Sequence, residues 1–171
     1  MRIVGLGYKA RQGKNTVARG IIQHCATQEI YAKEYGFATA LKAYCRVLGM
    51  RKKDGQLLQT VGTDVFRHLN PDIWVRVLMD TIEEDQPDVA IITDMRFPNE
   101  VEAIKAQNGL VVRVSRINPN GTTWIADDRP ADHSSEIALD GFQGFDYYIT
   151  AGSAHQAIEA GRGFGRKLIA K

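Results

Sequence analysis

Apolar residues in this chain follow two rhythms. Short continuous runs at Arg2–Leu6, Asp88–Thr93, Leu110–Ser115 and Asp146–Thr150 alternate with longer stretches in which apolar positions recur every three or four residues. The continuous runs predict strands of a parallel sheet covered on both faces. The periodic stretches predict helices over Lys14–Ala26, with Val17, Ile21, Ile22 and Cys25 on one side, and over Ala38–Leu48, stopped by Gly49. A further helix is expected over Gly55–Leu69, where Leu57, Leu58, Val61, Val65 and Leu69 line one side. Asn70-Pro71 reads as a cap followed by proline at the first helical position. That helix carries Trp74, Val77, Leu78 and Ile82 and ends near Pro87. Pro98 opens another helix that Gly109 closes, Ser134–Leu139 suits a short one, and Ser153–Lys171 a last one, basic and interrupted by glycines. Glu29–Tyr31 carries a fainter strand signature. Between Arg116 and His133 the periodicity disappears, and the segment INPNGTTWIADDRPADH predicts a loop long enough to have a function. Alternating strands and helices predict an α/β fold: a three-layer α/β/α sandwich on a mostly parallel, five-stranded sheet.

Composition adds mainly exclusions. A length of 171 residues suits one domain, and 44% hydrophobic with 25% charged residues are ordinary for a globular chain that needs no staples. The net charge of +2 makes no case for a nucleic-acid or membrane partner, in spite of Arg162, Arg166, Lys167 and Lys171 near the C-terminus. No run approaches the ~20 apolar residues of a membrane span. The opening MRIVGLGYKARQGK is too briefly apolar for a signal peptide. Cys25 and Cys45 lack the spacing of a metal knuckle or disulfide framework, and the histidines show no paired spacing. Without a G-x-S-x-G elbow, a serine hydrolase is unsupported. The expected setting is a reducing cytoplasm.

The strongest chemical signal is GYKARQGKNT, residues 7–16, between the first predicted strand and the first helix. Phosphate oxygens need many donors in a small concavity. Consecutive backbone N–H groups ahead of a helix N-terminus supply them, and the helix dipole favours the negative charge. Gly7, Arg11, Gln12, Gly13, Lys14, Asn15 and Thr16 form the candidate phosphate-binding set, with Gly13 allowing close approach and Lys14 reaching the β- and γ-phosphates. Counted back from Gly13-Lys14, the first glycine of such a loop falls on Tyr8, with Gly7 one residue earlier. The loop is therefore one residue longer than usual or carries a substituted glycine. Asn15 replaces the hydroxyl that usually binds magnesium, which leaves either Thr16 or the Asn15 amide oxygen to serve.

Asp94 directly follows the apolar run Val89–Thr93, where a magnesium-organising carboxylate belongs at the carboxyl end of a parallel strand. Arg96 and Glu100 lie just beyond. The bland alternative is a turn cap followed by an exposed ion pair of little worth. Gln59, Thr63 and Arg67 form a polar stripe at i, i+4 and i+8 on a helix, and Gly62 within it suggests close approach by another group. Arg67 is suited to holding an acceptor phosphate, although a solvated helix face has the same spacing. The loop at about 117–133 is a lid candidate with Arg129 and Trp124, because phosphoryl transfer needs water excluded and migrating charge neutralised. His133, Ser134, Ser135 and Glu136 read as a helix cap rather than as catalytic groups.

These motifs together resemble the bacteriophage deoxynucleoside monophosphate kinases. Gly13-Lys14-Asn15-Thr16 is similar to their GKDT turn. Leu57–Asp64 (LLQTVGTD), with Arg67 and Trp74 downstream, is similar to their LQ-x-x-GTD…W segment. Asp94–Glu100 (DMRFPNE) resembles their D-x-R-x-x-x-E, and Phe37-Ala38-x-x-Leu41-Lys42 the FA-x-x-LK that opens their acceptor region. His133–Glu136 and Phe145–Ile149 also resemble family segments. The order is kept over most of the chain, with departures at Tyr8 and Asn15. The resemblance implies a P-loop kinase fold in one domain, residues 1–171, with acceptor-binding helices at about 38–85. It implies ATP as co-substrate, Mg²⁺, and conversion of a dNMP to a dNDP. Lys14, Asp94, Arg96 and Arg129 would be catalytic. Lys42, Gln59, Thr63, Arg67, Trp74, Arg96 and Glu100 would serve the acceptor, and Thr16 and Asp94 the magnesium. The location would be a host cytoplasm for a phage protein, and a homodimer stays open. Rival readings are a P-loop kinase for another phosphorylated acceptor, of the phosphomevalonate or dephospho-coenzyme A kind, and a catalytically silent nucleotide-binding protein.

Overall fold

The structure, a computed structural model, describes residues 1–51, 54, 57–58, 60–126 and 130–170, and for residue 63 the backbone alone. In chain order the elements are β1 (Arg2–Gly7), α1 (Lys14–Ala26), β2 (Ala32–Tyr35), α2 (Ala38–Val47), a π-helix (Thr60–Arg67), α3 (Ile73–Asp85), β3 (Val89–Met95), α4 (Pro98–Ala106), β4 (Leu110–Arg116), α5 (Ser134–Ile137), β5 (Tyr147–Ala151) and α6 (Ala154–Ile169). The five strands form one sheet in the order β2-β3-β1-β4-β5. All four pairings are parallel.

Alternation along the strands divides the core between two faces. Val4, Leu6, Ile91 and Val112 face α1 and α6, while Ile3, Ile92 and Val111 face the side of α2, α3 and α4. On β1 the second face is kept clear by glycine. A Cβ on Gly5 would lie 2.5 Å from Ile104 Cδ1, and one on Gly7 2.3 Å from Met95 Cε. Glycine also explains the interruptions in the last helix. A Cβ on Gly161 would fall 2.2 Å from the Val17 carbonyl, and one on Gly20 2.2 Å from the Ile158 carbonyl, so α1 and α6 cross with their backbones in near contact.

Several sequence expectations move. The second strand is Ala32–Tyr35, not Glu29–Tyr31: Glu29 has a positive φ of 57°, and β2 is an edge strand whose Lys33 and Glu34 need no apolar pattern. β3 continues to Met95, so Asp94 lies within the strand rather than after it. Pro71 does not start a helix. The Asn70 side chain accepts the Asp72 N–H at 3.1 Å in an Asx turn that takes in the proline, and α3 begins at Ile73. Residues 60–67 form a π-helix rather than an α-helix, and there the Gly62 carbonyl accepts the Trp74 indole N–H at 3.0 Å. The close approach expected at Gly62 comes from Leu41, whose Cδ2 would lie 2.4 Å from a Cβ. Among the described residues, no helix is long and apolar enough to cross a membrane.

Candidate active site at the carboxyl ends of β1 and β3

The loop between β1 and α1 turns through three residues with positive φ, Tyr8 (94°), Arg11 (54°) and Gly13 (91°). Its shape is held from several directions. The Tyr8 ring lies under the Arg113 guanidinium at 3.7 Å, and burial raises the phenol above its usual pKa against the pull of that cation. Lys9 pairs with the Asp140 carboxylate at 2.9 Å. Buried Gln12 accepts the Arg116 N–H at 2.6 Å and donates to the Trp124 carbonyl at 2.8 Å. Its side chain is thus committed to the scaffold, which leaves its backbone rather than its amide to serve any ligand of the loop. Arg11 is exposed at the rim.

Lys14, the first residue of α1, is buried, and its ammonium folds back over the loop to the Lys9 carbonyl at 2.5 Å and the Tyr8 carbonyl at 3.3 Å. Thr16, half-buried, donates its N–H to the Gly13 carbonyl at 2.9 Å. The Asn15 amide donates to Glu34 of β2 and, at 3.4 Å, to Thr93 Oγ1. Asp94 points to the other face of the sheet. Its two oxygens accept the N–H groups of Phe37 at 2.8 Å and Ala38 at 3.0 Å, at the start of α2. Gly36 leaves the room for this, since a Cβ there would meet Asp94 Oδ2 at 2.9 Å.

Beyond β3, two buried carboxylates hold two arginines. Glu100, 1% exposed, pairs with Arg67 of the π-helix and accepts the N–H groups of Arg96 at 2.6 Å and Phe97 at 3.1 Å. Burial raises its pKa to about 6, against the lowering effects of Arg67 and the backbone donors. The Arg67 guanidinium also stacks on the Phe97 ring at 4.2 Å. Glu136, 7% exposed, accepts from Arg96 Nη1 at 2.5 Å and from the N–H of Ala10 in the phosphate loop at 2.9 Å. Beside Arg67 lies an open pocket of roughly 380 Å³ lined by Asp64, Arg67, His68, Pro71, Phe97 and Asn99.

Gly13, Lys14, Asn15, Thr16, Asp94, Arg96 and Arg67 therefore gather around the carboxyl ends of β1 and β3. Glu100 sits beneath this surface as an anchor for Arg67 rather than as an exposed pair. Trp74 is a core residue, edge-on to Phe66 at 5.5 Å, and supports the π-helix. Lys42 on α2 is half-buried and makes no ion pair among the described residues. Gln59, Arg129 and the side chain of Thr63 lie outside the described residues. His133 does cap α5, accepting the Ser135 N–H at 3.2 Å. The neighbouring Glu136 is more than part of that cap, and its reach to Ala10 could not be read from a local pattern. Glu34 was also missed, because it belongs to a short polar edge strand. Among the described residues no group of three or more His, Cys, Asp or Glu forms a ready metal cluster.

The fold is similar to the crystal structure of an unliganded sugar kinase from Janibacter sp. HTCC2649, with a TM-score of 0.54, 13% identity, and coverage of 99% of this chain and 95% of that one. With the parallel sheet and the loop after β1, this is the three-layer P-loop kinase fold. In sequence, the chain is 48% identical over 56 residues to the deoxynucleoside-5'-monophosphate kinase of Escherichia phage T5. That stretch is 32% of this chain and spans only 22% of the phage protein. The family profile described as Deoxynucleotide monophosphate kinase matches residues 50–136, which take in the π-helix, α3, β3, α4, β4 and Glu136. The chain belongs to the deoxynucleotide monophosphate kinase family.

Proposed function

We propose that the chain is an ATP-dependent kinase that transfers the γ-phosphoryl group of ATP in line to the α-phosphate of a deoxynucleoside monophosphate, yielding dNDP and ADP. The observation that carries this reading is the double role of Glu136. One buried carboxylate accepts an N–H of the phosphate loop and an N–H of Arg96, so a donor-phosphate cradle and an acceptor-side arginine share one anchor. Such an arrangement suits chemistry in which two anionic groups must be brought together.

In this reading Lys14 and the loop amides from Gly13 onward bind the donor phosphates. Lys14 leaves its two carbonyl partners to do so. Arg96 and Arg67, pre-aimed by Glu136 and Glu100, neutralise the acceptor phosphate, and the pocket beside Arg67 and Phe97 receives the nucleoside. Lys42, Gln59 and Thr63 are proposed to complete the acceptor side. The acceptor is already an anion at neutral pH, so positioning and charge neutralisation carry the reaction and no strong general base is required. Residues 117–133, including Arg129, are proposed to cover the site. Their Trp124 end is tied to the phosphate loop through Gln12.

Magnesium would supply charge neutralisation between the donor phosphates when bound. The oxygens near the start of α1, from Asn15, Thr16 and Glu34, suit such a hard cation. The test is ADP release from ATP and Mg²⁺ with each of the four dNMPs and four NMPs added singly. Stimulation by one or two deoxynucleotides is expected. No stimulation by any of them would sink the proposal.

A further inference from the structure

The position after the phosphate-loop lysine normally carries a hydroxyl for the nucleotide's divalent cation, and here it is Asn15. A carboxamide oxygen is a neutral and weaker ligand for a hard dication than a carboxylate. The carboxylate that the sequence offers, Asp94, faces the opposite side of the sheet from Asn15. Both its oxygens are engaged by the first amides of α2. Thr93 meets Asn15 at the start of α1, while Asp94 meets the first amides of α2, at the end of β3 where the pairing with β1 shifts register between Ile92 and Met95.

The carboxylate that does meet Asn15 is Glu34, on the edge strand β2. Its Oε1 accepts from Asn15 Nδ2 and from Thr93 Oγ1, the latter at 3.0 Å, and Thr93 is itself 5% exposed. With Nδ2 turned to Glu34, the Asn15 Oδ1 is left as an acceptor. Glu34 Oε2 accepts no hydrogen bond among the described residues, and Glu34 makes no ion pair with any of them. An uncompensated carboxylate one residue from the phosphate loop would repel a polyphosphate. A dication placed between them reverses the sign of that interaction.

We propose, on the basis of the kinase reading above, that Glu34, held by Asn15 and Thr93, is the carboxylate that receives the divalent cation accompanying the nucleotide. It takes the role the sequence assigns to Asp94. Glu34 then also makes nucleotide binding depend on that cation, because without metal its charge works against the phosphates.

The test is equilibrium binding of ADP by calorimetry, with excess Mg²⁺ and with EDTA, to the wild type, Glu34→Gln and Asp94→Asn. Manganese titration by electron paramagnetic resonance in the presence of ADP reads the metal directly. Glu34 is exposed, so the glutamine variant is expected to fold, which a thermal melt checks. In the wild type Mg²⁺ should tighten ADP binding. Glu34→Gln should lose roughly tenfold in affinity with Mg²⁺ and bind metal-free ADP as well as or better than the wild type. A merely structural role for Glu34 would not produce that opposite response. An unchanged Mg²⁺ effect in Glu34→Gln overturns the proposal, and its loss in Asp94→Asn alone returns the role to Asp94. If the wild type binds no ADP under either condition, the kinase reading fails and the inference with it.

Discussion

Arg67 of the π-helix and Glu100 of α4 form an ion pair in which the carboxylate is almost wholly buried and the guanidinium lies against the Phe97 ring at 4.2 Å. The burial that fixes this geometry also penalises the charge on Glu100, and its pKa rises from the usual 4.5 to about 6. A group whose pKa is higher in the folded state stabilises fully below its unfolded pKa and loses that contribution as pH rises through the folded value. Stability from Glu100 should therefore be full below about pH 4.5 and gone above about pH 6. The loss is on the order of 2 kcal/mol. Denaturant unfolding across this window should show Glu100→Gln gaining on the wild type as pH rises, and parallel curves would refute the assignment.

Glu136, itself buried, holds both the Ala10 N–H and the Arg96 guanidinium. Glu136→Ala leaves both donors without that partner, a cost of about 1–3 kcal/mol for each buried group. Steady-state kinetics should show a higher KM for both ATP and dNMP, together with a lower kcat. Glu136→Gln, which can still accept one hydrogen bond, should recover part of the loss. A change confined to one substrate would mean that the two sides are not coupled through this residue.

Lys14 is buried at the first turn of α1, and its ammonium donates to the loop carbonyls of Tyr8 and Lys9. Replacing it with alanine should lower turnover by about 10²- to 10³-fold or more, the scale on which a single charge-stabilising donor acts. Circular dichroism and a thermal melt should show the fold retained. Near-wild-type turnover in Lys14→Ala would defeat the proposed mechanism.

The crossing of α1 and α6 depends on glycine at two facing positions. A Cβ added at Gly161 would lie 2.2 Å from the Val17 carbonyl, so Gly161→Ala must push the helices apart at a cost of about 1–3 kcal/mol. Melting temperature should fall by about 2–4 °C per kcal/mol. Gly163 is the control. Its Cβ would meet nothing closer than an Arg166 side-chain nitrogen at 3.8 Å, and Gly163→Ala should be neutral or stabilise by about 0.4–1 kcal/mol. Equal losses in the two variants would contradict this close backbone packing of α1 on α6.

Local chemistry was sufficient to reveal the main architecture. The runs at Asp88–Thr93 and Leu110–Ser115 are apolar at successive positions because their strands are covered on both faces, so burial is written directly into the residues. Strand, glycine-bearing loop and lysine at a helix start are likewise adjacent in the chain, so the loop between β1 and α1 could be located without knowing anything else. Gly62 announced a close neighbour, because a glycine inside a helix is costly unless something needs the space.

Tertiary structure decided what depends on partners far away in sequence. Glu136 looked like part of a cap because its sequence neighbours make one, yet it meets Ala10 across 126 positions. Glu34 sits on an edge strand whose single pairing imposes no apolar pattern, so nothing nearby marked it as facing Asn15. Asp94 was found as a carboxylate at the end of β3, but the groups it meets, the first amides of α2, follow from the pairing of β2 with β3 and from the space left by Gly36. Sequence periodicity records whether a side chain is buried. Which group it is buried against depends on how the strands are ordered and which way each residue points.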